Sequence, residues 1–193
     1  LALDEKTPIA TSFGISGGKS FQVGEVSRLN FFATASFSNQ YSAIADGSAK
    51  GGVNEAGVIN KDFEEFVSLG YTTNTTLMGN LGYKINSSNK INFNSVYVNS
   101  SSQTKEEYSG LIVDIANDGN GLIRRSTYVK NNLFINQLIG EHKFNERTKL
   151  NWAAALNKVQ GDMPDRTQNI FRKETNGYVL SNISASDNYR YFP

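Results

Sequence analysis

The sequence contains no cysteine and only one histidine, His142, among its 193 residues. The absence of cysteine excludes disulfides, thiolate metal sites and cysteine nucleophiles. With a single imidazole, a histidine-based metal site is excluded, and a Ser-His-Asp triad would have to use His142. That residue lies close to a predicted short turn, where a substrate cleft is not expected. We therefore predict that the protein is not an enzyme.

Strong net charge and long apolar runs are also absent. The formal net charge is +1 and is spread evenly along the chain, so nucleic acid is not an expected partner. No run of 18 apolar residues occurs, so no transmembrane helix is predicted, whereas a transmembrane β-strand needs only about 9–11 residues of alternating polarity. With three prolines against 17 glycines, 12 phenylalanines and nine tyrosines, the composition favours many strands joined by polar turns.

Strand patterns predict a meander of six long strands over residues 1–193, near 8–17, 28–44, 71–85, 90–103, 127–144 and 149–160. Short turns are predicted near 17–28, 86–89 and 145–148, and long loops near 45–70, 104–126 and 161–193. Alternation of short turns with long loops is typical of outer-membrane β-barrels. The predicted fold is all-β, an antiparallel up-and-down meander of long hairpins that is part of an outer-membrane β-barrel.

The faces of the predicted strands differ in polarity. Apolar residues occupy odd positions in YTTNTTLMGNLGYKI and INFNSVYVN, and a pairing of Ile85 with Ile91 would bring the two apolar sides together. We expect the odd positions to face lipid and the even positions to line a polar lumen. The candidates for a ligand path are Asn74, Thr76, Asn80, Asn92 and Asn94. Whether odd or even positions of 127–160 face lipid stays open, because Leu133, Ile135 and Ile139 are as apolar as Phe134 and Leu138.

The same alternation would suit a soluble β-sandwich, so a secreted or cell-surface adhesin or carbohydrate-binding module is the alternative function. The polar face carries few charges, and the predicted strands exceed the usual five or six residues of globular sheets, which favours the barrel. The smallest membrane barrels close with about eight strands, so six strands are too few. We therefore expect this sequence to be part of a longer chain.

The segment FGISGGKS ends like a nucleotide-binding P-loop, but Phe13 replaces the first glycine of that motif and no helical pattern follows. We predict that Phe13 and Ile15 face lipid and that Gly17, Gly18 and Lys19 begin the first turn.

Two predicted loops contain candidate binding residues. DIANDGNGLIRR resembles a calcium loop at Asp114 and Asp118, but Ala116 and Arg125 break the pattern. A turn in which NDGNG supplies positive φ is the preferred prediction, with Ca²⁺ at Asp114 and Asp118 as the alternative and no other metal or cofactor expected.

The second loop, GDMPDRTQN, contains Asp162, Asp165 and Arg166. We expect these three side chains to form a local ion-pair knot in an extracellular loop. Contact with a substrate or partner at a barrel mouth is the alternative role.

Several segments together resemble one family: SFGISGGKSF, LNFFATASFSNQY, KGGVNEAGVINKDFEEF, TNTTLMGNLGYKINSSNKINFNSVYVNSSSQ, IRRSTYVKNNLFINQLIGEHKF and NKVQGDMPDRTQN. They are similar to the barrel of TonB-dependent outer-membrane receptors of the Bacteroidetes type, and the chain would be an internal segment of it. The resemblance implies a 22-stranded barrel with a plug, located in the bacterial outer membrane and importing a nutrient. The implied partners are outer-membrane lipid, the remaining barrel and plug, the TonB energising complex and a surface lipoprotein.

Overall fold

The computed structural model describes residues 9–51, 53, 55, 57, 59–182 and 188–191. The strands in chain order are β1 (Ser12–Val23), β2 (Ser27–Lys50), β3 (Lys61–Lys84), β4 (Asn89–Ile112), β5 (Ala116–Lys143), β6 (Lys149–Glu174), β7 (Gly177–Leu180) and β8 (Tyr189–Tyr191). Within these residues no helix is long and apolar enough to cross a membrane.

All eight strands belong to one antiparallel sheet. Neighbours in the sheet follow the order β1 to β7, and β8 pairs with β6. The predicted all-β meander of long hairpins is therefore confirmed. Over the described part of the chain the sheet is open, since β1 lies at one edge and β6, β7 and β8 form the other.

The predicted long loops are wrong, because the strands continue through most of them. The connection near 45–70 shortens to 51–60, that near 104–126 shortens to 113–115, and β6 extends to Glu174. Residues 52, 54, 56, 58, 183–187 and 192–193 of the predicted loops, and residue 8 of the first predicted strand, lie outside the described residues. Polar segments such as KEEYSG lack an apolar face and so resemble loops, yet cross-strand charge pairs join them into the ladder.

Two of the three short turns occur where they are predicted. Residues 85–88 join β3 to β4 and residues 144–148 join β5 to β6, closed by bonds from Ile85 N to Asn89 O (2.9 Å) and from Phe144 N to Thr148 O (3.0 Å). The first turn, predicted to begin at Gly17, instead occupies 24–26, where Gly24 has φ of 70°. Glycine adopts this backbone conformation without steric cost, so the chain reverses at Gly24 and Gly17–Lys19 remain inside β1.

The predicted register of β3 and β4 is wrong by two residues. Tyr83, not Ile85, lies opposite Ile91. A shift by an even number keeps every side chain on its face, so the predicted polarity of the faces survives.

One β-bulge places the GDMPDRTQN segment inside β6 instead of in a loop. Lys130 lies opposite Asp162 and Tyr128 lies opposite Asp165, so Met163 and Pro164 together oppose a single residue of β5. Proline has no N–H to donate to a ladder, and a bulge accommodates it within the strand. The ladder then continues beyond the bulge to Arg172.

The outer edge of β6 is paired by β7 and β8, with Asn188 between them. Ser181 N donates to Ile170 O (2.8 Å), and Ile170 N donates to Asn188 Oδ1 (3.0 Å). Asn188 Nδ2 in turn donates to the Ser181 carbonyl. The Asn188 amide thus substitutes for a peptide unit, so β7 and β8 act as two halves of one edge strand.

The buried core is small and lies at the end of the sheet away from the short turns. It contains Phe63, Ile112, Ile123 and Ile170, against which Tyr108 packs. Elsewhere the described chain is a single layer, and large apolar side chains such as Leu77 remain exposed.

Candidate functional site: two opposed faces of the sheet

One face of the sheet, here called the apolar face, is formed by cross-strand rows of large apolar side chains. In one row Phe31, Leu81, Phe93 and Leu138 lie on successive strands, and a second row contains Ile15, Ala35, Leu77, Tyr97 and Phe134. Ile15 is 73% exposed and Leu77 is 45% exposed. The face therefore extends over at least five strands without a covering layer in the described chain.

The position of Trp152 shows which residues of the hairpin of β5 and β6 lie on the apolar face, a question that the sequence leaves open. Its indole covers Gly140, the residue opposite it on β5, and stacks with His142 at 6.4 Å between ring centroids. Since Gly140 has the same parity as Phe134 and Leu138, these two residues belong to the apolar face. Leu133, Ile135 and Ile139 point to the opposite face.

That opposite face, here called the amide face, carries all five predicted ligand-path residues, and β3 and β4 supply them: Asn74, Thr76, Asn80, Asn92 and Asn94. Asn80 Nδ2 donates to Asn94 Oδ1 (2.5 Å), and Asn94 Nδ2 donates to Gln137 Oε1 (3.4 Å) on β5. Opposite Asn92 is Gly82, where an added Cβ would lie 2.8 Å from Asn92 Oδ1. The residues that parity selected therefore share one face, on which Asn80 and Asn94 are in contact.

The amide face is not uniformly polar. Met78, Val96 and Ile135 form an apolar row across β3, β4 and β5, and Val98 and Leu133 form part of the next. Two adjacent rows with apolar side chains thus lie between amide rows on this face, so it presents both hydrogen-bonding and apolar contacts.

A lattice of charge pairs joins β4 and β5 beyond these rows. Arg124 Nε lies 2.6 Å from Glu107 Oε1, and Arg125 Nη1 lies 3.6 Å from Glu106 Oε2. Sequence reasoning missed these pairs, because Glu107 lies six residues before the 113–115 turn whereas Arg124 lies nine residues after it, and a register shift between Gly110 and Ile112 absorbs the difference. Opposite charges that face each other across two strands stabilise the pairing, but their spacing in this sequence does not disclose it.

Tyr108 lies within this lattice, with the Arg125 guanidinium 5.6 Å above its ring. Burial raises the pKa of the Tyr108 phenol, and the adjacent Glu106 carboxylate raises it further by charge and by accepting its hydrogen bond.

The two candidate calcium ligands are not brought together by a common cavity. Asp118 Oδ2 lies 2.6 Å from Arg172 Nη2, and Asp118 Oδ1 accepts a hydrogen bond from Asn120 N. The Asn120 hydrogen bonds, the side chain first, together with the Arg172 charge, lower the pKa of Asp118. Asp114 lies in the turn before β5. The described residues contain no group of three potential metal ligands. Calcium binding stays a prediction.

The predicted knot of Asp162, Asp165 and Arg166 is wrong. Asp165 forms two contacts with Arg190, at 3.1 and 3.2 Å, while the Arg166 guanidinium lies 5.9 Å from the Tyr189 ring. Asp162 accepts a hydrogen bond from Gln160 Nε2 (2.9 Å). Successive residues of a strand point to opposite faces, so Asp165 and Arg166 are separated.

His142 lies beside the short turns, as predicted. Its Nδ1 is 2.8 Å from Asn89 Oδ1, and its ring packs on Trp152. These contacts give His142 a structural role, in which the ring packs on Trp152 and one ring nitrogen contacts Asn89.

Comparison of the chain with protein-family models, curated proteins and solved structures found no match.

Proposed function

We propose that this chain is a membrane-spanning portion of an outer-membrane receptor that takes up a nutrient ligand in a TonB-dependent manner. The observation that supports this proposal is the opposition of the two faces. One face carries two rows of large apolar side chains on either side of a row that includes Ser95 and Asn136, and the other face carries hydrogen-bonded amides.

The energetic cost of the exposed apolar face in water favours a lipid environment. Leaving one leucine or phenylalanine side chain exposed forgoes about 1.5–3 kcal/mol of burial. On the apolar face Phe31, Leu77, Leu81, Phe93 and Leu138 are each 38–46% exposed, so each forgoes part of this amount. Soluble monomers rarely expose so extended an apolar patch, whereas lipid would cover it.

The dimensions of the apolar face fit a bilayer. On β2 it extends from Leu29 to Phe37, about nine residues, and a membrane-spanning strand needs about 9–11. Tyr83 and Trp152 lie at its short-turn end, where aromatic side chains are common at a membrane interface. The paired rings of Tyr41 and Tyr71, 4.7 Å apart, lie beyond its other end.

In the proposed mechanism these strands line the ligand path and do not themselves drive transport. In a closed barrel the amide face would line the lumen, and Asn80, Asn92 and Asn94 would offer donors and acceptors to a passing polar ligand. By resemblance to the receptor family, a plug pulled by the TonB complex would open the path. The open edge of β1 and the part of β6 before Arg166 would pair with further strands, since unpaired edges otherwise promote aggregation.

Fluorescence quenching of Trp152, the only tryptophan of the sequence, tests the proposal. The protein is isolated from its native membrane and reconstituted with brominated lipids, with Trp152→Phe as the matched control that isolates this residue's signal. We expect brominated lipid to quench the Trp152 signal and aqueous acrylamide to quench it weakly. Strong quenching by acrylamide alone in a protein that stays soluble without detergent would reject the receptor and favour the soluble adhesin or binding module.

A further inference from the structure

Two adjacent cross-strand rows on the amide face, at the end away from the short turns, carry charges of both signs. Across β4, β5, β6 and β8 the first row is Thr104, Thr127, Arg166 and Tyr191, and the second is Glu106, Arg125, Gln168 and Tyr189. Side chains that lie directly opposite each other in paired strands project from the same face of a sheet. These side chains therefore lie together on the amide face.

One of the two arginines is compensated by a carboxylate. Arg125 Nη1 lies 3.6 Å from Glu106 Oε2, and Arg125 Nε and Nη2 donate to Gln168 Oε1 at 3.1 and 2.9 Å. Arg166 differs, because among the described residues it forms no ion pair and no hydrogen bond. The two rows therefore leave the positive charge of Arg166 uncompensated.

The Arg166 side chain is partly buried and packs beside a ring. Its guanidinium lies 5.9 Å from the centre of the Tyr189 ring, and its Nε is buried without a hydrogen-bond partner. Buried polar atoms nearly always have a partner, and a buried charge without one is costly. Nε is the only nitrogen of this guanidinium that is both buried and unpartnered, so a ligand can reach the two terminal amino groups. An anion bound there would compensate the charge.

Two neutral donors lie next to Arg166. Gln168 is two residues further along β6 on the same face, about 6.6 Å away between Cα atoms, and Arg125 engages its Oε1 so that Gln168 Nε2 remains a donor. Thr127 lies directly opposite Arg166, and such pairs have Cβ atoms about 4.5–5.5 Å apart. Guanidinium, amide and hydroxyl donors thus flank one position on the amide face. We call Arg166, Gln168 and Thr127 the Arg166 site.

The charge and shape of this site select the class of anion. A guanidinium presents a planar fork of N–H donors that matches the two oxygens of a carboxylate. A phosphate monoester carries close to two negative charges near neutral pH, whereas the site offers one uncompensated positive charge. A singly charged, planar carboxylate therefore fits better than a phosphate.

We propose that the Arg166 site binds a carboxylate group of the ligand that passes along the amide face. This inference rests on the proposed function, because it requires the amide face to line an aqueous path, and it adds the chemical class of the ligand. In the proposed barrel the short turns are periplasmic, so an entering ligand reaches Arg166 before it reaches Asn80 and Asn94.

The test is protection of Arg166 by anions against phenylglyoxal, a reagent that modifies arginine side chains. The protein isolated from its native membrane is reconstituted in vesicles, and the rates of modification at Arg166 and Arg125 are measured by peptide mass spectrometry. The probes are sodium acetate and sodium phosphate, compared with sodium chloride at equal ionic strength. Arg125 is the internal control, because it lies one row away on the same face with its guanidinium already engaged. Thr127→Val removes one donor of the site, and Thr72→Val on β3 is the matched control on the same face.

In acetate at about 100 mM we expect Arg166 to be modified about tenfold more slowly than in chloride, for a dissociation constant of about 10 mM. Arg125 should be unaffected, and Thr127→Val but not Thr72→Val should lose part of the protection. The inference would be overturned by no modification of Arg166 in chloride, by equal rates in acetate and chloride, or by equal protection of both arginines. Stronger protection by phosphate than by acetate, or equal protection in the two valine variants, would overturn it as well.

Quenching of Trp152 by brominated lipid in the same vesicles tests insertion separately. A protein that is quenched but shows no acetate protection at Arg166 rejects the carboxylate site and leaves the receptor proposal standing. Absence of quenching rejects the receptor proposal, and with it the inference.

Discussion

Substitution of Gly140 by alanine should destabilise the last hairpin. The indole of Trp152 lies on the bare glycine, and a Cβ at position 140 would overlap the ring. The ring would have to move, and it would then lose its contact with His142 as well. Covering of a glycine by a cross-strand aromatic side chain is a recognised means of fixing strand register.

The size of the effect follows from two opposing contributions. Replacing glycine by alanine at an unstrained position stabilises a protein by about 0.4–1 kcal/mol, because the unfolded chain loses conformational freedom. Overpacking a closely packed site costs about 1–3 kcal/mol. Gly79 on the same face has no atom within 4 Å of its added Cβ, so Gly79→Ala measures the first contribution alone. We expect Gly140→Ala to be about 1–3 kcal/mol less stable than Gly79→Ala.

The assay is urea unfolding of the detergent-solubilised protein, followed by the fluorescence of Trp152. In Gly140→Ala the emission of the folded state should also shift, because the ring leaves its site over the backbone. Equal unfolding midpoints for the two alanine variants, with unchanged emission, would refute the proposed packing of Trp152 on Gly140.

Two further predictions concern the end of the sheet away from the short turns. Asn188→Ala should remove the acceptor of the Ile170 amide and increase hydrogen exchange there by about tenfold, from the loss of one hydrogen bond; unchanged exchange would show that Asn188 does not join β7 to β8. Glu106→Gln should lower the pKa of Tyr108 in an absorbance titration, since the carboxylate contributes to raising it. Stability from the raised pKa should be complete below about pH 10 and decline as pH rises through the folded-state value; an unchanged Tyr108 titration in Glu106→Gln would exclude the carboxylate's role.

The polarity of the central strands could be predicted because side chains alternate with a period of two, so a register error of two residues leaves each of them on its face. The pairing of Ile85 with Ile91 was wrong by two residues, yet Asn80, Asn92 and Asn94 still share a face. The parity of β5 could not be predicted from its own sequence, in which Phe134 and Ile135 compete. The register with β4, which places Phe134 opposite Tyr97, selects between them, and the contact of Gly140 with Trp152 agrees with it.

The strand ends could not be predicted because the interactions that stabilise strand pairing change along each strand. Near the short turns apolar alternation marks the strand, whereas beyond Tyr97 charge pairs such as Glu107 with Arg124 replace it. The hydrophobic pattern therefore does not predict a strand in that region. Pro164 likewise suggests a loop, although a bulge retains it in β6.

The most direct test of the central claim is the solvent accessibility of neighbouring positions on β4. The sequence contains no cysteine, so Asn92→Cys and Phe93→Cys each introduce a single thiol into this chain. Both variants are reacted in reconstituted membranes with a hydrophilic maleimide. If the apolar face contacts lipid and the amide face lines an aqueous path, Asn92→Cys should react rapidly and Phe93→Cys slowly. Rapid reaction at position 93 with protection at position 92 would contradict the assignment of the two faces.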